Sequence, residues 1–220
     1  MTVFINGRDL TVEQVIRVCR AGEEVKLTDE AIVNVKKARA YIERKLAEKA
    51  VIYGLTTGFG KFSNVMISSE ETEELQRNLI MSHTCAMGPA YPARDVRAAM
   101  LLRCNALARG NSGIRLETLQ TLIDMLNAGV HPVIPQKGSL GASGDLAPLS
   151  HIALALIGEG KAEYKGHIMD SAAAMKEAGI MPVTLAAKEG LALNNGTQMM
   201  TAVGLNVLWD AMSLAKAADI

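Results

Sequence analysis

Apolar positions along this 220-residue chain recur mainly every three to four residues, the spacing that gathers them on one face of an α-helix. Val12, Val15, Ile16 and Cys19 form one such stripe, with Thr11 placed to cap its start and Gly22 to end it. Ile32, Val35, Ala38, Ile42 and Leu46 form a second, which predicts a long helix from Thr28 or Asp29 through about Lys49. Ser68 and Glu71 stand at capping-box spacing before a third helix, expected to run into the segment MSHTCAMG at 81–88. Further helices are predicted over 93–109, stopped by Gly110, over about 116–128, and over a short stretch capped by Asp170. From Thr184 onward the pattern is again helical. Strand signals are minor: Val3 to Ile5 before an Asn6-Gly7 turn, and a small hairpin over GKAEYKGHIMD at 160–170. Two segments break the periodicity, YGLTTGFGKFSN at 53–64 and HPVIPQKGSLGASGDLAPLS at 131–150. The expected fold is mainly α, with long packed helices.

Composition sharpens that picture. Hydrophobic residues make up 49% of the chain and aromatic ones only 4%, a bias toward helix-on-helix packing over a β-sandwich. Lys plus Arg equals Asp plus Glu, 23 against 23, so there is no basic field to hold nucleic acid or an anionic membrane. The start MTVFINGRDL lacks a charged end followed by an apolar run, and no apolar stretch approaches bilayer length. Cys19, Cys85 and Cys104 are scattered without CxxC spacing, as expected of reduced thiols in a cytoplasmic protein. The pattern at Ile220 is still helical and apolar, with no stop signal, which reads as a truncation.

Long irregular segments in a helical protein are where chemistry is to be sought. Gly138-Ser139-Leu140-Gly141-Ala142-Ser143-Gly144-Asp145 places three glycines within seven residues. Gly144 has no side chain to keep its amide nitrogen from the carbonyl carbon of Ala142, and glycines accept the dihedrals of so compressed a turn. Attack there closes a five-membered ring. Loss of water from the ring and from the Ser143 hydroxyl then leaves an exocyclic methylene, an electrophile no ordinary side chain supplies. A helix capped by Asp145 would direct its positive end at the site. Other readings stand beside this one: a plain turn before a helix, a phosphate cradle, or Ser143 as a nucleophile. GxxxxGK[ST] and GxGxxG are absent, and Asp145 occupies the last glycine position of GxSxG.

The segment GSLGASGDLAPLSHIA at 138–153 resembles the signature of the histidine and phenylalanine ammonia-lyase family across its whole length. Three more segments resemble family motifs in the family's order: Tyr53-Gly54-Leu55-Thr56-Thr57-Gly58-Phe59-Gly60, Arg109-Gly110-Asn111-Ser112-Gly113, and KEGLALNNGT at 188–197. The resemblance covers nearly the whole chain. It implies that Ala142-Ser143-Gly144 self-cyclises to 4-methylidene-imidazol-5-one (MIO), without metal or nucleotide, and that the group assists non-oxidative elimination of ammonia from an aromatic amino acid. It assigns Tyr53 as the base for the β-proton, Asn195 as a donor beside the prosthetic group, and Asp145 and Gly204 as supports for it. Ser82-His83 matches the pair that contacts the substrate ring, and Ser-His there is typical of members acting on histidine. L-Histidine is thus the expected substrate and trans-urocanate the product. His83, His131, His151 and His167 show no metal-ligand spacing.

Family members are roughly twice as long and form homotetramers. The resemblance therefore implies that residues 1–220 are the N-terminal MIO-bearing domain and the start of the central helical bundle, with the C-terminal half of the fold absent. On that reading the 220 residues alone would be inactive. A split-enzyme subunit, a non-catalytic remnant, and a related tyrosine or phenylalanine lyase or aminomutase are the alternatives.

Overall fold

A computed structural model describes residues 2–48, 52, 72–141 and 144–220. The chain opens with β1 (Thr2–Ile5), α1 (Val12–Ala21), β2 (Glu24–Leu27) and α2 (Asp29–Ala47). Thr11 and Gln14 form a reciprocal capping box on α1, and Gly22 ends it in the left-handed conformation, as their residue types predict. The strand β2 is a departure from the sequence reading. It lies parallel to β1, with Val3 opposite Val25 and Ile5 opposite Leu27, all four buried. Alternation in Glu24-Val25-Lys26-Leu27 is only four residues long, too brief to stand out between two helices.

Next come α3 (Thr72–His83), β3 (Met87–Ala90), α4 (Ala93–Ala108), α5 (Leu116–Ala128), β4 (His131–Pro132) and β5 (Pro135–Lys137). Contrary to expectation, α3 stops at His83, and Met87–Ala90 leave as a strand antiparallel to β5. Gly88, at φ +89°, and Pro89 suit that exit and not a helix. The proposed Ser68–Glu71 capping box lies outside the described residues.

The last third holds α6 (Leu146–Leu156), β6 (Lys161–Tyr164), β7 (His167–Asp170), α7 (Ser171–Glu177), α8 (Glu189–Asn194) and α9 (Gln198–Ala218). The expected hairpin is β6–β7, turned through Lys165 and Gly166 with positive φ at both, which matches the strand twist. Asp170 stands at the N-cap of α7, but its carboxylate accepts from Lys161 Nζ at 2.8 Å and not from the helix amides. Helix resumes only at Glu189 and not at Thr184, with Lys188 at φ +77°, outside the helical region, just before it.

The core is built around α4, whose Ala98, Ala99, Met100, Leu101 and Leu107 are buried, with α1, α5 and α9 packed on it. A second packing unit joins α3, α6 and α8. Leu149, Ile152, Ala153 and Leu156 leave α6 apolar nearly all round, the mark of an enclosed helix. On α9, by contrast, Met200, Val207, Leu208 and Leu214 are exposed. Among the described residues no helix is long and apolar enough to cross a membrane, and no three His, Cys, Asp or Glu side chains converge to hold a metal ion. Cys19, Cys85 and Cys104 are free thiols.

Candidate active site

Gly144 lies where the loop from β5 enters α6, at φ +119°, a conformation that side chains disfavour. Space forbids a side chain as well: a Cβ there would stand 2.6 Å from the Gly196 carbonyl oxygen and 3.1 Å from its nitrogen. The Asp145 amide donates to that same carbonyl oxygen at 2.6 Å. Two glycines far apart in sequence thus press their backbones together. Among the described residues the Gly144 amide makes no hydrogen bond.

Asp145 occupies the N-cap position of α6 but does not cap it with its side chain, which corrects the sequence reading. Its carboxylate, buried beneath the loop, accepts from the Met200 amide at 2.8 Å and from Ser139 Oγ at 3.1 Å. Met200 lies in the first turn of α9, whose own N-cap residue, Thr197, makes no side-chain cap. The carboxylate therefore sits between the positive ends of two helices and closes the start of the longer one.

Asn195 ends α8 with an exposed side chain, and only its backbone is engaged. Its amide donates to the Leu191 carbonyl at 3.2 Å, and its carbonyl accepts from an Arg103 terminal nitrogen at 2.7 Å. Asn194, by contrast, is buried, and its Nδ2 donates to Ser150 Oγ at 3.3 Å. Arg103 escaped the sequence reading. The available signal was a lone cation in the apolar run AAMLLRCNALA of α4. Burial presses its pKa down to about 10, because little water remains to stabilise the cation.

Ser82 and His83 form the last turn of α3, and both lean on one carbonyl. Ser82 Oγ donates to Leu79 O at 2.9 Å, and His83 Nδ1 lies 2.9 Å from the same oxygen. With Nδ1–H given to that carbonyl, Nε2 is an acceptor. The chain just after His83 touches the precursor loop: a Cβ on Gly138 would meet Ala86 Cα at 2.8 Å, and Met87 pairs with Lys137. Gly204 lies within α9, exposed, with open space where a Cβ would stand. Tyr53, Ala142 and Ser143 lie outside the described residues. Gly144, Asp145 and the Asn195 backbone are brought together; among the described residues Ser82 and His83 make no hydrogen bond to them, and the link to the loop is Ala86, three residues on, which meets Gly138.

Two other motif segments meet as scaffold. Glu189 of KEGLALNNGT is fully buried and accepts from the Arg115 amide at 2.9 Å, Arg115 Nε at 3.0 Å and the Ala186 amide at 2.8 Å. Arg39 bridges the Gly113 and Ala187 carbonyls, at 3.3 and 3.0 Å. These contacts fix α8, and with it Asn195, to the turn that follows α4.

The family model for aromatic amino acid lyases matches residues 10–220. The chain belongs to the aromatic amino acid lyase family. Within this lyase family it is 57% identical over 218 residues to the histidine ammonia-lyase of Alkaliphilus oremlandii, covering 99% of this chain and 43% of that relative. Among solved lyase-fold structures, histidine ammonia-lyase from Trypanosoma cruzi superposes with a TM-score of 0.93 at 39% identity, covering all of this chain and 42% of the other. Ergothionase from Treponema denticola gives 0.94 at 36% identity, over 97% of this chain and 43% of the other. The chain thus spans under half the length of the lyases it matches, and its mainly helical architecture is theirs.

Proposed function

We propose that this chain carries the electrophile-forming site of a histidine ammonia-lyase, which eliminates ammonia from L-histidine to give trans-urocanate. The observation that carries the reading is the packing of Gly144. A cyclising turn needs a residue without a Cβ and with an uncommitted amide nitrogen; at φ +119° Gly144 lies against Gly196 where no Cβ fits, and its amide makes no hydrogen bond among the described residues. Ring closure joins the Gly144 nitrogen to the Ala142 carbonyl carbon. That carbonyl oxygen leaves as one water, and the Ser143 hydroxyl with its α-hydrogen leaves as the second. No redox partner is required. The described residues fit such a group, since Gly196 walls one side and the Asp145 carboxylate ties the loop to the start of α9.

When formed, MIO supplies an electrophile that makes the substrate's amino group a better leaving group. The remaining work falls to side chains. Tyr53 takes the β-proton, which requires its anion to be favoured near neutrality. The Asn195 side-chain amide, without a hydrogen bond among the described residues, donates to developing negative charge. His83 presents Nε2 as an acceptor for an imidazole N–H, with Ser82 beside it, and a phenyl ring offers no matching donor. Identity to named histidine ammonia-lyases supports the same substrate.

We assign residues 1–220 to the MIO-bearing unit and the start of the central bundle. The rest of the active site, homotetrameric assembly and cytoplasmic residence belong to the whole protein. Gly204 is assigned as a support for the group from α9. The test is intact mass followed by assay. The protein should lack two waters and release ammonia from L-histidine in preference to L-tyrosine and L-phenylalanine. A cyclised protein that ignores L-histidine and acts on L-tyrosine would sink the substrate assignment, and an unmodified mass would favour a non-catalytic remnant.

A further inference from the structure

Arg103 is an expensive residue to place where it is. It projects from α4 and is 5% exposed, and no carboxylate pairs with it among the described residues. A buried cation without a counter-charge is tolerated only where neutral acceptors are held to it. Here those acceptors are the Asn195 carbonyl, at 2.7 Å, and Gln198 Oε1, at 3.1 Å. Both flank Gly196, and a methyl group at Gly196 would overlap the Arg103 terminal nitrogen and Gln198 Oε1. The next carbonyl along, that of Gly196, is the one that accepts from Asp145 and lies against Gly144.

We infer that Arg103 is a positioning residue for the self-processing turn: it fixes the Asn195-Gly196 peptide, against which Gly144 is held at its positive φ. The inference rests on the reading that Ala142-Ser143-Gly144 cyclises. It assigns no contact between Arg103 and substrate. Charge-assisted bonds to a carbonyl resist displacement more than neutral ones, which suits a wall that must not yield as Gly144 closes on Ala142. Gln198, at the first position of α9, completes the seat.

Arg97 provides an internal control on the same helix. It too is largely buried, and it donates to the Val18 and Leu126 carbonyls, which lie in the scaffold. The experiment compares Arg103→Met, Arg103→Lys and Arg97→Met in the intact protein, by melting temperature and by the fraction lacking two waters in a mass time course after synthesis. Arg103→Met should leave less than about a tenth of chains cyclised when the parent is complete, the scale of one lost charged hydrogen bond. Arg103→Lys keeps the charge but shortens the reach of the single terminal nitrogen that meets both acceptors, and should cyclise about tenfold more slowly. Arg97→Met should lose stability yet cyclise at the parental rate. If Arg103→Met does not fold, the Lys variant decides alone. Parental cyclisation in a folded Arg103→Met or in Arg103→Lys overturns the inference, as does equal loss in Arg97→Met at equal melting temperature. A parent that keeps both waters overturns cyclisation itself, a distinct result.

Discussion

Replacing Asp145 with alanine tests the unusual capping arrangement most directly. The carboxylate accepts from Met200 N and Ser139 Oγ, and α9 makes no cap of its own. Ser139 is exposed and can turn to water, so its share is small. The Met200 amide loses a charged acceptor, at about 1.5–3 kcal/mol. The helix end loses a favourable anion, at about 0.3–1 kcal/mol. Together these give about 2–4 kcal/mol, or about 4–16 °C in melting temperature for a chain of this size. Asp145→Asn keeps a neutral acceptor and should recover about half of the loss. Thermal unfolding followed by far-ultraviolet circular dichroism measures both. An alanine variant that melts within about 2 °C of the parent, or an asparagine variant no better than alanine, would refute the capping role.

Other consequences are as concrete. Burial, and then the Arg97 guanidinium, hold the His131 pKa down to about 4. Unfolding therefore takes up a proton below about pH 6.5, so stability is full above that value and falls as pH drops toward 4, by up to about 3 kcal/mol. Urea titrations at several pH values should show that slope, and His131→Gln should flatten it. Glu189→Gln breaks a buried pair with Arg115 and should cost about 3–5 kcal/mol in the same titration; a loss below about 1 kcal/mol would mean that the clamp is dispensable. Asn195→Ala should melt within about 2 °C of the parent, since only its backbone is bonded. On the proposed mechanism it should nonetheless slow turnover about a hundredfold, and an unchanged kcat would remove Asn195 from it.

The helices were legible because their signals are local. The Thr11 capping box, the Gly22 stop and the apolar stripes of α1 and α2 all lie within a few turns of the residues they organise. The strands β2 and β3 were missed for the same reason inverted: four residues carry too little periodicity, and each exists because a partner elsewhere pairs with it. Asp145 illustrates the division within one residue. Its place before a helix is local and was read correctly, whereas its side chain serves a helix beginning over fifty residues later. Arg103 was visible as a cation in an apolar run, but its importance lies in a bond to residue 195, which no spacing rule reaches. Motif resemblance supplied what periodicity could not, by marking Gly144 and Asn195 as neighbours of one chemistry.

The contact between Gly144 and Gly196 also sets a clock. Residues 138–145 leave the ribosome with every atom of the turn but without its far wall, which arrives only when the segment around residue 196 has been made and seated against α4. Closing contacts of such long sequence separation is late in folding. If the turn cyclises as proposed, a nascent or misfolded chain lacks the enclosure and its serine hydroxyl stays that of an ordinary serine. On that proposal, topology alone keeps a premature electrophile from nearby thiols and amines. On the proposed chemistry, each missing pair of waters is then a lasting record that the molecule once reached its native arrangement, legible by mass even after the protein has unfolded.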